Sequence, residues 1–481
     1  MNDSSKPYFF QALDALRLGD RRGAAVLLGR QLREGNTAQK NLPPVSQLAA
    51  HIGEIDLAID ASRQWNSGSL QSLLGVWALM GTYGRAAEAL SEIGRLPASL
   101  QEHPSVLHVR GTIATQFGRF EEAQELYRRM LAKSPGSLQT WFALAMVKTF
   151  TPGDPDFVAM AELEKTAATA PPDARSAFYY GFGKALEDVG EIDRAFGAYS
   201  QGAAIRRAQE PFDTQAHRLA AEQIIRDFTP ANLAGLTPSA FERRRSLFVT
   251  GLPRSGTTLT EQMLVSHSAV AEGAELNLFE TALMPLLGNS YANAARYSES
   301  GQADPWGDIA RDYAHLVDVH FRSPELVVDK SLGQGLVIGL LLHSMPEARI
   351  AWLRRSPEDV AFSCFKTYFT TGLKWTCSLT DIADYMRAEE RLFDHWRSVF
   401  PDRILVVPYE ELVAAPAAWS EKLQQHFELP FEPGLEKTSR SGRSIRTASV
   451  GQVSEPISTS RIGGSAAFER HLQPFRDRYY G

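Results

Sequence analysis

The sequence predicts a chain of two parts, α followed by α/β: an N-terminal helical-repeat solenoid, then a P-loop-like α/β domain with a parallel central sheet. Three observations carry this expectation. Glycines recur at a nearly constant interval through the first 200 residues, at Gly19, Gly53, Gly84, Gly118, Gly153 and Gly190. From residue 246 onward, short apolar runs alternate with helical stretches. The first of these runs leads directly into a glycine loop that opens a helix.

Successive glycines are 34, 31, 34, 35 and 37 positions apart, the period of a helix-turn-helix unit. Five residues after each stands Ala24, Ala58, Ala89, Ala123 or Ala195, with Val158 in the degenerate copy. A glycine ends the first helix of each unit, and the small residue lets the second helix pack closely on it. The clearest copy is VLHVRGTIATQFGRFEEAQELYRRMLAKSP, with Gly111, Gly118, Ala123 and Tyr127, followed by Pro135. Gly183, Gly190, Ala195 and Tyr199 repeat it. These segments resemble the tetratricopeptide repeat. About six copies are expected over residues 8–206, two of them strong and that around Trp77 weak. The resemblance implies a groove for a peptide or partner protein, although such a face serves equally for dimerisation or internal packing. A generic helical bundle is the competing reading.

Residues 207–245 read as a linker with a helical stretch, HRLAAEQIIRDF, and a turn-rich one. Arg243, Arg244 and Arg245 read as a solvated strand entry rather than an anion site.

The α/β domain is expected over residues 246–481. Its apolar runs are SLFVTG, ELVVDK, ARIAWLR and RILVVPY. Strands alternating with helices imply a parallel sheet, which binds ligands at the carboxyl ends of its strands. The loop reads Gly251-Leu-Pro-Arg-Ser-Gly-Thr-Thr-Leu259 and precedes a helix. Its glycine spacing is that of a nucleotide-binding phosphate loop, with Thr257 where that motif has Lys. Without the Lys, a nucleoside triphosphate would lose its main countercharge, while Arg254 directs a cation elsewhere. The third run leads into Arg354-Arg355-Ser-Pro-Glu-Asp-Val-Ala-Phe-Ser363, where Ser356 reads as an N-cap and Pro357 as the first helical position.

PRSGTTL resembles the 5′-phosphosulfate loop of the sulfotransferase superfamily, and Arg355 with Ser363 match its 3′-phosphate motif in spacing. The resemblance covers roughly residues 246–460 and is closest to bacterial proteins with repeats ahead of this domain. It implies 3′-phosphoadenosine 5′-phosphosulfate (PAPS) as sulfuryl donor and PAP as product. Arg254, Ser255, Gly256, Thr257, Thr258, Leu259, Arg355, Ser363 and Tyr409 would bind it. The segment HSAVAEGAELNLFE resembles tyrosylprotein sulfotransferases, whose catalytic base falls on Glu275. Lys330 and Ser449 match residues facing the transferred group. Glu272 and His267 are the competing bases, and Lys330 has the alternative of simply ending a strand. The chain departs from the pattern at Gly464, where the group often has a basic residue; Arg461 stands nearby.

Sulfuryl transfer needs positioning and charge stabilisation more than covalent help, and no carboxylate cluster recommends a metal. Glu275 would take the proton of an acceptor hydroxyl, and Arg254 and Lys330 would stabilise the departing phosphate. The acceptor, a protein tyrosine, a saccharide or a small molecule, stays open. Rival readings are a P-loop kinase or NTPase, a repeat-fused glycosyltransferase and a repeat adaptor with an inactive domain.

Composition bounds the rest. With 481 residues, 44% apolar and 22% charged, the chain suits several globular units, and its net charge of −6 argues against a nucleic-acid binder. Cys364 and Cys377 suggest neither a disulfide framework nor a zinc site. The start, MNDSSKPYFFQAL, lacks a signal-peptide profile, and no stretch approaches the ~20 apolar residues of a membrane span. A soluble cytoplasmic protein is expected.

Overall fold

The computed structural model describes residues 7–34, 42–65, 68–275, 277–370, 372–437 and 457–481. Helices come in antiparallel pairs from Tyr8–Arg17 with Arg21–Arg33 to Pro172–Asp188 with Ile192–Gln209. Local signals fix their ends. Asp20 accepts from Gly23 N at the start of its helix, and Pro104, Pro155 and Pro172 occupy first-turn positions. All six periodic glycines have φ between 69° and 84°, the left-handed region in which a helix ends against a glycine. The five alanines that follow them are fully buried, whereas Val158 is 52% exposed.

Close packing between paired helices has a direct cause at Gly111 and Gly183. A Cβ on Gly111 would lie 2.5 Å from the Tyr127 ring, and one on Gly183 would lie 2.7 Å from that of Tyr199. In the third pair Trp77 fills the space instead, donating to Glu92 Oε2 at 3.0 Å.

The second part holds five strands: β1 (Ser246–Gly251), β2 (Val270–Ala274), β3 (Leu326–Asp329), β4 (Ile350–Arg354) and β5 (Ile404–Pro408). They form one parallel sheet in the order β2-β3-β1-β4-β5. β1, the most central, is buried at every position, as a strand covered on both faces must be. The carboxyl ends of all five strands, together with the segment Thr459–Ser465, carry the residues discussed below.

The array and the sheet domain share side chains. Helix Pro305–His320 lies along the intra-repeat turns of the first three helix pairs. There Arg22 donates to the Asp308 backbone carbonyl and pairs with Asp312, Arg21 pairs with Asp312 and Glu54, and Arg85 Nη2 donates to Val319 O at 3.1 Å. Further on, Phe196 stacks on His471 and Lys366 meets Glu187 at 2.7 Å. One apolar cluster runs from Leu144, Phe178 and Phe182 into Phe362, Ile382 and Phe475. Within 207–245 the helix Thr214–Asp227 buries Ala221 and Ile224.

The three consecutive arginines are all engaged. Arg243 and Arg245 pair with Asp318, and Arg244 with Glu428. Arg245 is buried, so this strand entry is a paired one rather than a solvated one. No helix among the described residues is long and apolar enough to cross a membrane.

Candidate active site

The turn from β1 into helix Thr257–Val265 holds three left-handed residues, Gly251, Arg254 and Gly256, with φ of 144°, 68° and 105°. Gly256 has no alternative: a Cβ there would lie 2.5 Å from the Tyr409 ring. The loop holds itself together through Ser255, whose hydroxyl and N–H both donate to Leu252 O, at 2.7 and 3.2 Å. Ser255 therefore contributes architecture rather than a spare hydroxyl. The helix makes its first backbone bond from Thr260 N to Gly256 O. The amides of Thr257, Thr258 and Leu259 precede it and have no acceptor one turn back, which makes the helix start an anion cradle. Leu259 packs its side chain on the apolar core, so only its amide is available to a ligand.

On one side of the loop, the ends of β2 and β3 meet. Lys330 N donates to Ala274 O at 3.0 Å, which places Lys330 beside Glu275. Lys330 is fully buried, and its Nζ lies 2.5 Å from Glu275 Oε1 and 3.4 Å from Thr258 Oγ1. Glu275 keeps 36% of its side chain exposed, so it faces both the lysine and solvent. A second carboxylate approaches from the loop helix: Glu261 Oε2 is 3.5 Å from the same ammonium. The face behind is closed by Asp329, which accepts from Tyr313 OH at 2.7 Å and from Ser331. Burial raises the Asp329 carboxyl above the ordinary range.

On the other side, Arg254 Nε donates to Ser363 Oγ at 2.9 Å, and Arg355 Nη1 donates to Arg254 O at 3.2 Å. Arg355 also stacks over the Tyr409 ring at 4.4 Å and donates to Arg461 O. Arg254, Arg355, Ser363 and Tyr409 thus meet around one loop. Burial, with the nearby charges of Arg355 and Arg461, lowers Arg254 to about 10. The site is rich in positive charge.

The segment Thr459–Ser465 closes this side. Asp359 accepts from Gly463 N at 2.8 Å, from Ser465 N at 3.0 Å and from Arg355 at 3.3 Å. Arg461 stands next to the loop arginines, whereas Gly464 has nothing but a backbone oxygen within reach. Ser356 occupies the expected N-cap position, but its hydroxyl makes no cap bond; its N–H donates to Glu410 Oε1 at 2.9 Å.

His267 is not placed for proton transfer. It is buried, its Nδ1 accepts from Ala269 N at 3.0 Å, and its Nε2 lies 2.8 Å from Pro430 O. Glu272 lies inside β2, short of the strand end where Glu275 meets Lys330. Ser449 lies outside the described residues. Cys364 and Cys377 are buried free thiols, and burial pushes Cys364 up to about 12, out of the reactive range. Among the described residues no group of side chains has a metal-binding arrangement. Sequence reasoning did not single out Glu261 and Asp359, which each face a cation of the site.

Residues 246–433 match the sulfotransferase family model, and residues 104–147 match that of the tetratricopeptide repeat. A protein of Aquifex aeolicus (strain VF5), itself uncharacterized, is 26% identical over 81% of this chain and 51% of its own length. Protein-tyrosine sulfotransferase 2 of Gallus gallus is 25% identical over 45% of this chain and 62% of its own. The chain therefore spans roughly half the length of the curated relatives it matches. The sulfotransferase domain of the Synechococcus PCC 7002 olefin synthase is 21% identical over 47% of this chain and 90% of that domain, with a TM-score of 0.34. Residues 246–433 thus form a sulfotransferase-family domain, joined to a helical array that contains a tetratricopeptide repeat.

Proposed function

We propose that the chain transfers a sulfuryl group from PAPS to an acceptor hydroxyl. The observation that carries this reading is the convergence of Glu275, Lys330 and Thr258 on one side of the loop with Arg254, Arg355 and Ser363 on the other. One anchor for a 5′-phosphosulfate and a second for a 3′-phosphate are what distinguishes PAPS from ATP. The donor set fits such a ligand. The loop offers amides without helical acceptors, and Arg355 Nε is buried with no hydrogen-bond partner among the described residues.

PAPS, when bound, supplies an activated sulfuryl group on its 5′-phosphate. The protein's part is proton and charge management. Glu275, its Oε1 held by Lys330, accepts the acceptor's hydroxyl proton at its second oxygen. Lys330 and Arg254 balance the negative charge left on the 5′-phosphate, and the hydroxyls and amides of Thr257 and Thr258 orient it. Ser449, matched by family resemblance, belongs to the same proposed set. The acceptor proposed is a protein tyrosine, supported by the likeness to the Gallus gallus enzyme. The helical array would help to present the protein that bears it. Two buried free thiols suit a reducing compartment, so the proposed location is the cytoplasm.

Titration calorimetry with PAP, AMP and ATP without metal tests the donor. PAP is expected to bind at least ten-fold more tightly than AMP, since a lost charged contact is worth about 1.5–3 kcal/mol. Equal affinity for PAP and AMP would remove the reading. A screen of tyrosine peptides, saccharides and phenols with labelled PAPS then identifies the acceptor.

A further inference from the structure

Lys330 is the most deeply buried cation of the site, and it has two carboxylates rather than one. Glu275 lies 2.5 Å from its Nζ on the solvent side, and Glu261 lies 3.5 Å away on the inside. Their exposures differ sharply, 36% for the Glu275 side chain and 6% for that of Glu261. Space for Glu261 is built into the neighbouring strand. A Cβ on Gly273 would lie 2.7 Å from Glu261 Oε1 and 2.9 Å from its Cγ, so β2 lacks a side chain where the carboxylate passes. An acid on the buried face of a nine-residue helix whose remaining inward residues include Met263, Leu264 and Val265 has no solvation to offset its charge. It belongs there only with a cation, and among the described residues Lys330 supplies one.

We propose that Glu261 is a positioning residue that holds Lys330 from within and keeps Glu275 basic. The inference rests on the sulfuryl-transfer reading above and deepens it. With only Glu275 as partner, the ammonium would stay on the general base and oppose its protonation. Glu261 draws part of that charge inward, and its own negative charge adds to the proton affinity of Glu275. Among the described residues the other charged groups near this triad include Arg254 on the loop and Asp329, whose carboxylate is turned to Tyr313 and Ser331. Buried and without solvent access, Glu261 is not itself placed to meet an acceptor.

The test uses the full chain and two independent readouts. Thermal unfolding of wild type, Glu261→Gln, Lys330→Met and the double variant reads the pair without any substrate. Glu261→Gln should lower the midpoint, and adding Lys330→Met should recover much of the loss, because it removes the ammonium left under-compensated. Strictly additive effects would overturn the pairing. The second readout is the pH profile of kcat/KM. In Glu261→Gln the acid limb should move down by about one pH unit, and the plateau rate should fall several-fold while PAP affinity stays within two-fold. An unmoved acid limb at normal PAP affinity would overturn the effect on the base. Failure of the wild type to transfer sulfuryl groups would count against the proposed function alone, and the unfolding cycle would still decide the Glu261–Lys330 pair.

Discussion

At one end of the glycine loop Lys330 is fully buried between two carboxylates, Glu261 and Glu275. At the other, Arg355 keeps 11% of its side chain exposed and leans on two backbone carbonyls, the Tyr409 ring and a single carboxylate, Asp359. The first end is assembled from the loop helix and two adjacent strands, β2 and β3, whose backbones are hydrogen-bonded to each other. The second draws on a helix after β4, a residue after β5 and a segment about a hundred positions further along. Rigidity therefore differs. The Lys330 end, the transfer end of the proposed function, is set by the sheet itself, whereas the Arg355 end, its proposed nucleotide end, depends on Asp359 keeping Gly463 and Ser465 in place. The proposed function gives this difference a reason, since transfer from PAPS would require reacting atoms to be held still while a large nucleotide is exchanged.

The comparison can be broken most forcefully at Glu275. Glu275→Gln keeps the shape and removes the basic oxygen, so turnover should fall by roughly two to four orders of magnitude with PAP affinity within a few-fold. Single-turnover kinetics together with calorimetry would separate the two. A loss of binding equal to the loss of rate would show that the two ends are not functionally distinct. Glu272→Gln should change little.

Arg355→Ala tests the opposite end. PAP affinity should drop by about ten- to a hundred-fold, as for loss of a charged hydrogen bond, and AMP, without a 3′-phosphate, should lose less. Saturating PAPS should restore most of the turnover. If it does not, Arg355 also serves the chemical step.

The smallest effect is expected at Asp359. Burial works against its charged form, but the N–H groups of Ser465 and Gly463 and the Arg355 guanidinium outweigh it and hold the carboxyl below its ordinary range. A depressed carboxylate contributes its stabilisation above the unfolded value of about 4 and loses it only as pH falls through the lower folded value. Protection of residues 457–481 from protease should thus be constant from pH 5 to 8 in the wild type. In Asp359→Asn it should be weakened throughout that range, with PAP affinity down by a few-fold. Protection that varies across that range in the wild type would mean that another group anchors the segment.

Much of this was readable in the residues, and the rest was not for identifiable reasons. Periodic glycines declared the array because each must adopt a left-handed turn, and the structure has all six in it. Lys330 was legible at a strand end because the apolar run ELVVDK stops where a loop begins, whereas Glu275 rested on family resemblance alone: β2, Val270–Ala274, has no apolar run to announce it and was not among the expected strands. Glu261 was hidden. In TLTEQMLV an acid between polar neighbours reads as a solvated face, and only the parallel sheet packed under that helix reveals it as inward. Asp359 was hidden differently: one partner, Arg355, is four positions away, but the backbone groups it holds, Gly463 and Ser465, lie more than a hundred positions away. Arg243 to Arg245 looked solvated because their partners are also remote, Asp318 by more than 70 positions and Glu428 by 184.

The pairing of Arg21 with Asp312 has a consequence for how the chain reaches this state. The two residues stand 291 positions apart, and the guanidinium is buried and cannot shed its charge. Helix pairs close through neighbours and can form in microseconds, while a parallel sheet whose central strand waits for partners some 80 and 100 residues downstream is intrinsically slow. Within the array Arg21 already has Glu54 and the Ile52 carbonyl as partners, so the first two helix pairs satisfy part of its charge on their own. Asp312 completes the set only with the helix leading into β3, so this one guanidinium ties the start of the array to the sheet domain.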